Sequence, residues 1–201
     1  MAPNDPRLRL LDSGCGTGYY LTRLLGRRDG WEALALDVSV DAVAAATRAA
    51  GSPGLVADVW QPLAVRDGRA DVVLCVFAPR NVSEFARVLA ADGRLIVVTP
   101  ASSHLRELRD AGRVIGMQED KLAHLDGSLA GSFRLDRRES LEYEVQLDHA
   151  DVESLASMGP SGHHMITERV PSDPGPDRTA GADRTTTTVT IAIDVSVYSP
   201  A

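Results

Sequence analysis

The sequence predicts an α/β fold: a mostly parallel, doubly wound sheet with an antiparallel strand at its C-terminal end. Three observations carry the prediction. From Leu8 to Thr99, short apolar runs alternate with longer alanine- and leucine-rich stretches, as happens when strands and helices take turns along a chain. The first apolar run feeds directly into glycines at every second position, Gly14, Gly16 and Gly18, the type of strand-to-helix turn that opens such sheets. After Pro100 the pattern becomes strand-like over two long segments, the second of which reaches Tyr198.

Taken in order, strands are expected at Leu8 to Asp12, Ala33 to Asp37, Leu55 to Ala57, Asp71 to Val76 and Arg94 to Thr99. Helices fill the gaps at Tyr19 to Arg28, Ser39 to Ala50 and Ser83 to Ala91. Ser39 and Ser83 are the expected N-caps, because a hydroxyl there accepts from the first unpaired N–H groups, and Gly51 and Gly93 follow the helix ends. Right-handed crossovers then return each strand parallel to its neighbour and put a ligand at the carboxyl ends of the strands. Further on, Ser102 to Arg113 is expected as a helix, Phe133 to Leu147 as a strand, Asp148 to Met158 as a helix, and Thr185 to Tyr198 as a strand rich in β-branched residues. Val170 to Asp183 is dense in Pro, Gly and Asp, which makes residues 170–184 an expected flexible loop.

A length of 201 residues suits one domain, 1–201. The hydrophobic fraction of 44% and charged fraction of 24% exclude a mainly disordered, collagen-like or coiled-coil chain. No apolar run approaches the roughly eighteen residues of a membrane span, and Met1 to Pro6 lacks the features of a secretory signal. A cytoplasmic location without a membrane partner is expected. The net charge of −7 opposes bulk attraction to a polyanion, so a nucleic-acid partner would have to be gripped locally. Cys15 and Cys75 lie outside any CxxC or Cys/His cluster, and His163 and His164 lack partners at ligand spacing. Neither a disulfide scaffold nor a metal site is expected.

The most informative segment is Leu10-Leu11-Asp12-Ser13-Gly14-Cys15-Gly16-Thr17-Gly18. Glycines let backbone approach a ligand closely, and the following helix offers its unpaired N–H groups. The GxGxG spacing differs from the GxGxxG of a dinucleotide site, and Asp12 beside the loop would repel a pyrophosphate. A ligand bearing a cationic amino or sulfonium group fits better. Asp37 follows Gly18 by 37 − 18 = 19 residues and ends the second strand, where a carboxylate can accept from both hydroxyls of a ribose; the alternative is a helix-capping acid. Asp58 ends the third strand and could accept from an adenine amino group, or be a solvated turn residue.

These residues resemble the class I S-adenosylmethionine-dependent methyltransferases, whose fold is Rossmann-like. The resemblance makes LDSGCGTG the first motif, Asp37 the ribose acid and Ala57-Asp58 the adenine turn. It implies S-adenosylmethionine as cofactor, held by Asp12, Gly14, Gly16, Thr17, Gly18, Asp37 and Asp58. DSGCGTGYY, ALDVS, VFAPRNVSEFARVLAADGRLIVVTP followed by SHLREL, and HADVESLASMGP are further similar to the 23S rRNA guanine-N1 methyltransferases. Within these the similarity is to the actinomycete branch associated with macrolide (tylosin-type) resistance.

What this implies is methyl transfer to guanine N1 of large-subunit rRNA. Phe77, Ala78 and Pro79 would stand beside the transferring methyl, with Phe77 stacking on an extruded base. Arg80, His104 and Arg106 would contact substrate, with Arg106, Arg109 and Arg113 recurring on one helical face. Members of that family carry a zinc ribbon and helical linker ahead of the first motif, whereas only a few residues precede Leu8 here. The rRNA partner is therefore expected to bind weakly without an added RNA-binding region. A small-molecule methyltransferase, a cofactor-binding remnant without turnover, and assembly as a homodimer all stay open at this point.

Overall fold

The computed structural model describes residues 8–27, 30–114, 121–157 and 186–201. Two compact units emerge: Met1–Pro100 with Asp120–Glu139 and Asp194–Ala201, and Ala101–Glu119 with Ser140–Ile193.

The first unit opens with β1 (Arg9–Ser13), α1 (Tyr19–Leu25), β2 (Glu32–Asp37), α2 (Val40–Ala50), β3 (Gly54–Val56), β4 (Ala70–Val76), α3 (Val82–Val88) and β5 (Leu89–Pro100). β1 pairs in parallel with both β2 and β4; β2 pairs with β3, and β4 with β5, also in parallel. With β6 (Phe133–Leu147) and β7 (Thr187–Pro200) the sheet order is β3-β2-β1-β4-β5-β7-β6. The sheet is mostly parallel with one antiparallel strand, as the sequence implied. The chain winds outward from β1 to β3, then restarts at β4 on the other side of β1. That reversal opens a crevice at the carboxyl ends of β1 and its neighbours.

Helices on both faces explain why the strands are nearly continuous apolar runs. Leu11, Leu36, Val73 and Cys75 enter one buried cluster with Phe85 and Val88 of α3. Their strand neighbours Leu10, Ala35, Leu74 and Val76 enter another with Leu21 of α1 and Ala46 of α2. This period-2 division of side chains between the two faces fixes the strand register.

Capping agrees with the sequence in α2 and corrects it in α3. Ser39 Oγ accepts from the Ala42 N–H at 3.2 Å, and Gly51 closes α2 in the left-handed region at φ 64. For α3 the cap is Asn81 rather than Ser83: Asn81 Oδ1 accepts from the Glu84 N–H at 3.3 Å, and the Ser83 hydroxyl donates to that same oxygen at 2.9 Å. Gly93 does not end a helix. α3 stops at Val88 and β5 begins at Leu89; a Cβ at Gly93 would come within 2.8 Å of the Leu89 side chain.

A helix without a sequence expectation, α5 (Lys121–Leu129), completes the first unit. Its signal was Leu122, Leu125 and Leu129 at helical spacing, and all three pack into the first cluster. Asp126 anchors α5 to strand residues, accepting from Arg138 at 2.7 Å and from the Tyr198 hydroxyl at 2.8 Å.

In the second unit, the helix expected at Ser102 to Arg113 shortens to α4 (Arg106–Asp110). Its upstream residues are held otherwise, since the Ala101 and Leu105 N–H groups donate to the Ala192 and Thr190 carbonyls. α6 (His149–Ser157) and the second-unit parts of β6 and β7 lie close to their expected bounds, and Leu108, Val152 and Val189 form this unit's core. The expected loop at 170–184, together with Met158, His163 and His164, lies outside the described residues.

Candidate active site

At the carboxyl ends of the strands the first unit carries a cleft of about 480 Å³. β1 contributes Ser13 and Gly14, β2 contributes Asp37, the turn after β3 contributes Asp58 and Trp60, and the turn after β4 contributes Phe77, Ala78 and Pro79. Sequence reasoning named six of these eight. It missed Ser13 and Trp60. A large aromatic two residues beyond a strand-ending acid was the available signal for Trp60, which is 62% exposed.

The glycine loop is held by backbone bonds, with the Gly14 and Cys15 N–H groups donating to the Leu36 carbonyl at 2.8 and 3.0 Å. Gly14, at φ 78, is where the loop touches the turn after β4: a Cβ there would lie 2.3 Å from Ala78 Cβ. Gly16 differs, because a Cβ would meet nothing within 4 Å. Its N–H donates to Asp37 Oδ2 at 3.0 Å, while Asp37 Oδ1 accepts from the Ser39 N–H at 3.0 Å. The carboxylate thus bridges the β1 and β2 loops, and its half-buried position on the cleft wall leaves lone pairs for a ligand. Thr17 is exposed and Gly18 buried at the start of α1.

Two further bonds fix the walls. Asp58 Oδ1 accepts from the Trp60 N–H at 3.0 Å, an Asx turn that presents the indole at the cleft lip. Asn81 Nδ2 donates to the Val59 carbonyl at 2.9 Å, linking the start of α3 to the same turn. Phe77 has φ 52, an uncommon backbone state for an aromatic residue, and its N–H donates to the Val98 carbonyl at 3.1 Å. The result is a ring 48% exposed at the end of β4. Arg80 Nη1 donates to the Ala78 carbonyl at 3.2 Å and lies outside the cleft's lining.

His104 and Arg106 belong to the second unit. His104 Nδ1 accepts from the Ala192 N–H at 3.1 Å, which assigns the ring proton to Nε2. Arg106 pairs with Glu107 at 3.0 Å, Glu142 at 3.4 Å and Glu144 at 3.7 Å. Arg109 donates to the Ser102 carbonyl at 2.6 Å and also to that of His104. Arg113 follows the end of α4 and pairs with Glu153 at 3.4 Å. Arg106 and Arg113 are thus paired with carboxylates of their own unit, whereas Arg109 is held by backbone carbonyls.

Both thiols are protonated at neutral pH: burial pushes Cys75 up to about 11 and Cys15 up to about 12, the latter aided by Asp12 and Asp37. Neither is a ready nucleophile. Among the described residues no cluster of three His, Cys, Asp or Glu could hold a metal ion, and no helix is long and apolar enough to cross a membrane.

Two features suit a cofactor spanning this cleft. Ser13 Oγ is buried on its wall without a hydrogen-bond partner among the described residues, a costly state that a bound polar group would relieve. The open space over Gly16 accepts a chain the loop must approach closely. A methyltransferase-domain family model matches residues 11–97. The fold is shared with the N-methyltransferase NodS of Bradyrhizobium japonicum, solved with S-adenosyl-L-homocysteine. That match has a TM-score of 0.50 at 13% identity, over 96% of this chain and 78% of that one. Residues 11–97 thus match a methyltransferase domain, carried on the fold of the class I methyltransferases, whose cofactor is S-adenosylmethionine.

Its relatives are more particular. The chain is 40% identical over 171 residues to the 23S rRNA (guanine(748)-N(1))-methyltransferase of Streptomyces fradiae, covering 83% of this chain and 61% of that protein. It is 36% identical over 192 residues to a Micromonospora griseorubida protein provisionally named 23S rRNA (guanine-N(1)-)-methyltransferase, covering 95% and 63%. The chain is a relative of the 23S rRNA guanine-N1 methyltransferases and spans about three-fifths of the length of those it matches.

Asp12, which precedes Ser13 and lies outside the cleft's lining, carries a pH dependence of its own. The side chain is 2% exposed. Burial, with the Asp37 carboxylate adding to it, pushes its carboxyl from the ordinary 3.8 up to about 7. A carboxyl that holds its proton more tightly folded than unfolded makes stability fall as pH rises between the two values, here from about 4 to about 7. A cationic ligand favours the ionised form and gives binding the opposite trend. Calorimetry from about pH 5 to about pH 8 should therefore show affinity for S-adenosylmethionine rising with pH, with proton release on binding, and Asp12→Asn should flatten both. Affinity independent of pH in the unsubstituted chain would remove Asp12 from the cofactor site.

Proposed function

We propose that this chain methylates N1 of a guanine in large-subunit ribosomal RNA. The observation that carries the reading is Phe77, an aromatic face held half-exposed on the cleft by a left-handed backbone, where β4 ends beside the glycine loop. A purine taken out of its helix can stack there. The relatives named above support the choice of base and RNA.

In this reading Gly14, Gly16, Thr17, Gly18, Asp12, Asp37 and Asp58 hold the cofactor, with Asp37 accepting from the ribose hydroxyls and the buried Asp12 favouring the cationic end. The bound cofactor supplies an electrophilic methyl group on a sulfonium. Phe77, Ala78 and Pro79 shape the pocket that turns the guanine's Watson–Crick edge inward. Guanine N1 carries a proton at neutral pH, so the pocket must align N1 while that proton passes to solvent water as the N1–methyl bond forms, and alignment alone can supply much of the rate enhancement. Arg80, which follows Pro79, contacts the RNA; Arg106 is engaged by Glu107, Glu142 and Glu144 and takes no part in this reading. With both thiols protonated, the chain acts by positioning and not by a cysteine adduct.

The test is mass spectrometry of digested rRNA after incubation with S-adenosylmethionine and this chain fused to a relative's zinc ribbon. It should show 1-methylguanosine, lost on Phe77→Ala. Methyl on adenine or ribose would reject the guanine assignment and leave the cofactor reading intact; no product would favour a cofactor-binding remnant.

A further inference from the structure

The helix after the glycine loop carries an exposed face that the chemistry above does not use. α1 buries Leu21 completely and packs Leu24 and Leu25 against the second cluster. At about 100° per residue, Tyr19, Tyr20 and Arg23 fall within an arc of about 100° on the other side. Tyr19 is 57% and Tyr20 44% exposed. Their rings meet edge to face at 5.2 Å, and the Arg23 guanidinium lies 4.7 Å from the Tyr19 ring centre. Arg27, also exposed, follows in the turn after α1, its N–H donating to the Leu24 carbonyl at 3.2 Å.

Charge makes this face unusual. The segment 19–27 has two arginines and no acid in a chain of net charge −7. Among the described residues neither Arg23 nor Arg27 pairs with a carboxylate, whereas Arg9, Arg87, Arg94, Arg106, Arg113 and Arg138 do; Arg48, Arg66, Arg69, Arg80 and Arg109 share the unpaired state, and what distinguishes Arg23 is its place over an exposed ring. The aromatic component adds to this: of the five exposed aromatics among the described residues, Tyr19, Tyr20, Trp60, Phe77 and Tyr143, Tyr19 and Tyr20 are the two that are adjacent in the chain. Guanidinium groups not engaged by carboxylates, next to exposed rings, match a strand that offers phosphates and unstacked bases in turn. A protein partner of the same charge would need carboxylates but not the rings.

We propose that Tyr19, Tyr20, Arg23 and Arg27 form a docking face for single-stranded RNA beside the cofactor loop. The bases stack on the tyrosines and the phosphates lie on the arginines. The inference rests on the rRNA reading for its choice of nucleic acid. It supplies the local grip that a chain of net negative charge requires.

The experiment is fluorescence anisotropy with a fluorescein-labelled single-stranded RNA of about 20 nucleotides, long enough for one site, titrated at several salt concentrations. Tyr19→Ala with Tyr20→Ala should weaken binding about tenfold, and the double Tyr→Phe variant should restore it, because stacking needs the ring and not the hydroxyl. Arg23→Gln with Arg27→Gln should lower the slope of log affinity against log salt by about 1.4, at about 0.7 per phosphate contact. Affinity for S-adenosylmethionine, measured on the same samples, should not change, which also verifies folding.

The proposal is overturned by wild-type RNA affinity in the variants, by an absence of RNA binding in the unsubstituted chain, by equal binding of poly-L-glutamate, or by a parallel loss of cofactor affinity that would assign the tyrosines to the cofactor. The two readings fail separately. 1-Methylguanosine formation with unaltered RNA affinity in the variants rejects this face alone; lost RNA affinity without any guanine product rejects the methylation reading alone.

Discussion

Asp37→Ala is expected to weaken S-adenosylmethionine binding by about 100-fold or more in calorimetry. Hydrogen bonds to a charged group contribute about 1.5–3 kcal/mol each, and the ribose reading assigns two to this carboxylate. The substitution also strips the Gly16 N–H of its 3.0 Å acceptor and the Ser39 N–H of another, so the loop that must lie against the cofactor loses its link to β2. Asp37→Asn, which keeps one acceptor oxygen, should fall between the two. A second readout follows from electrostatics: without the Asp37 charge, the Asp12 carboxyl should titrate lower than about 7. An affinity within about threefold of the unsubstituted chain would show that Asp37 only fastens loops.

Gly18→Ala is expected to cost about 2–4 kcal/mol of stability. The residue sits at φ 81, and a Cβ would lie 2.7 Å from Ala46 Cα and 2.9 Å from Ala46 Cβ. The obstacle is largely the backbone of α2, which no rotamer change can move aside, so α1 and α2 must separate. Thermal unfolding should fall by roughly 5–15 °C for a chain of this size. Gly16→Ala is the comparison: its Cβ meets nothing within 4 Å and φ is 51, so stability should drop by only about 1 kcal/mol while cofactor affinity falls. If both variants melt alike, the separation of a packing glycine from a ligand-facing glycine is wrong.

The parallel core and much of the cleft's lining were legible in the sequence because their signals are local. Alternating burial gives the strands, glycine at every second position gives the loop, and an acid ending a strand points at the crevice wherever the strand lies in the sheet. Asp37 and Asp58 are legible on the cleft in this way, and Phe77 through the family resemblance. Ser39 was likewise readable as a cap, since an N-cap needs only its own next three residues.

What the sequence by itself determined was the order of strands and helices through β5, the identity of the loop, and hence the class of ligand. Tertiary structure decided the rest. Asn81 displaced Ser83 as the cap because its amide also reaches the Val59 carbonyl at 2.9 Å, a partner 22 residues away. Gly93 belongs to a strand because the neighbouring Leu89 side chain leaves no room for a Cβ. Arg106 and Arg113 meet carboxylates from β6 and α6 that lie 36 and 40 residues along the chain. For Asn81, Arg106 and Arg113 the deciding partner is remote in sequence and near in space, and side-chain periodicity carries no record of it. The exposed face of α1 belongs to the same category: its residues are adjacent in the chain, but only the burial of Leu21 on the opposite side shows which way they point.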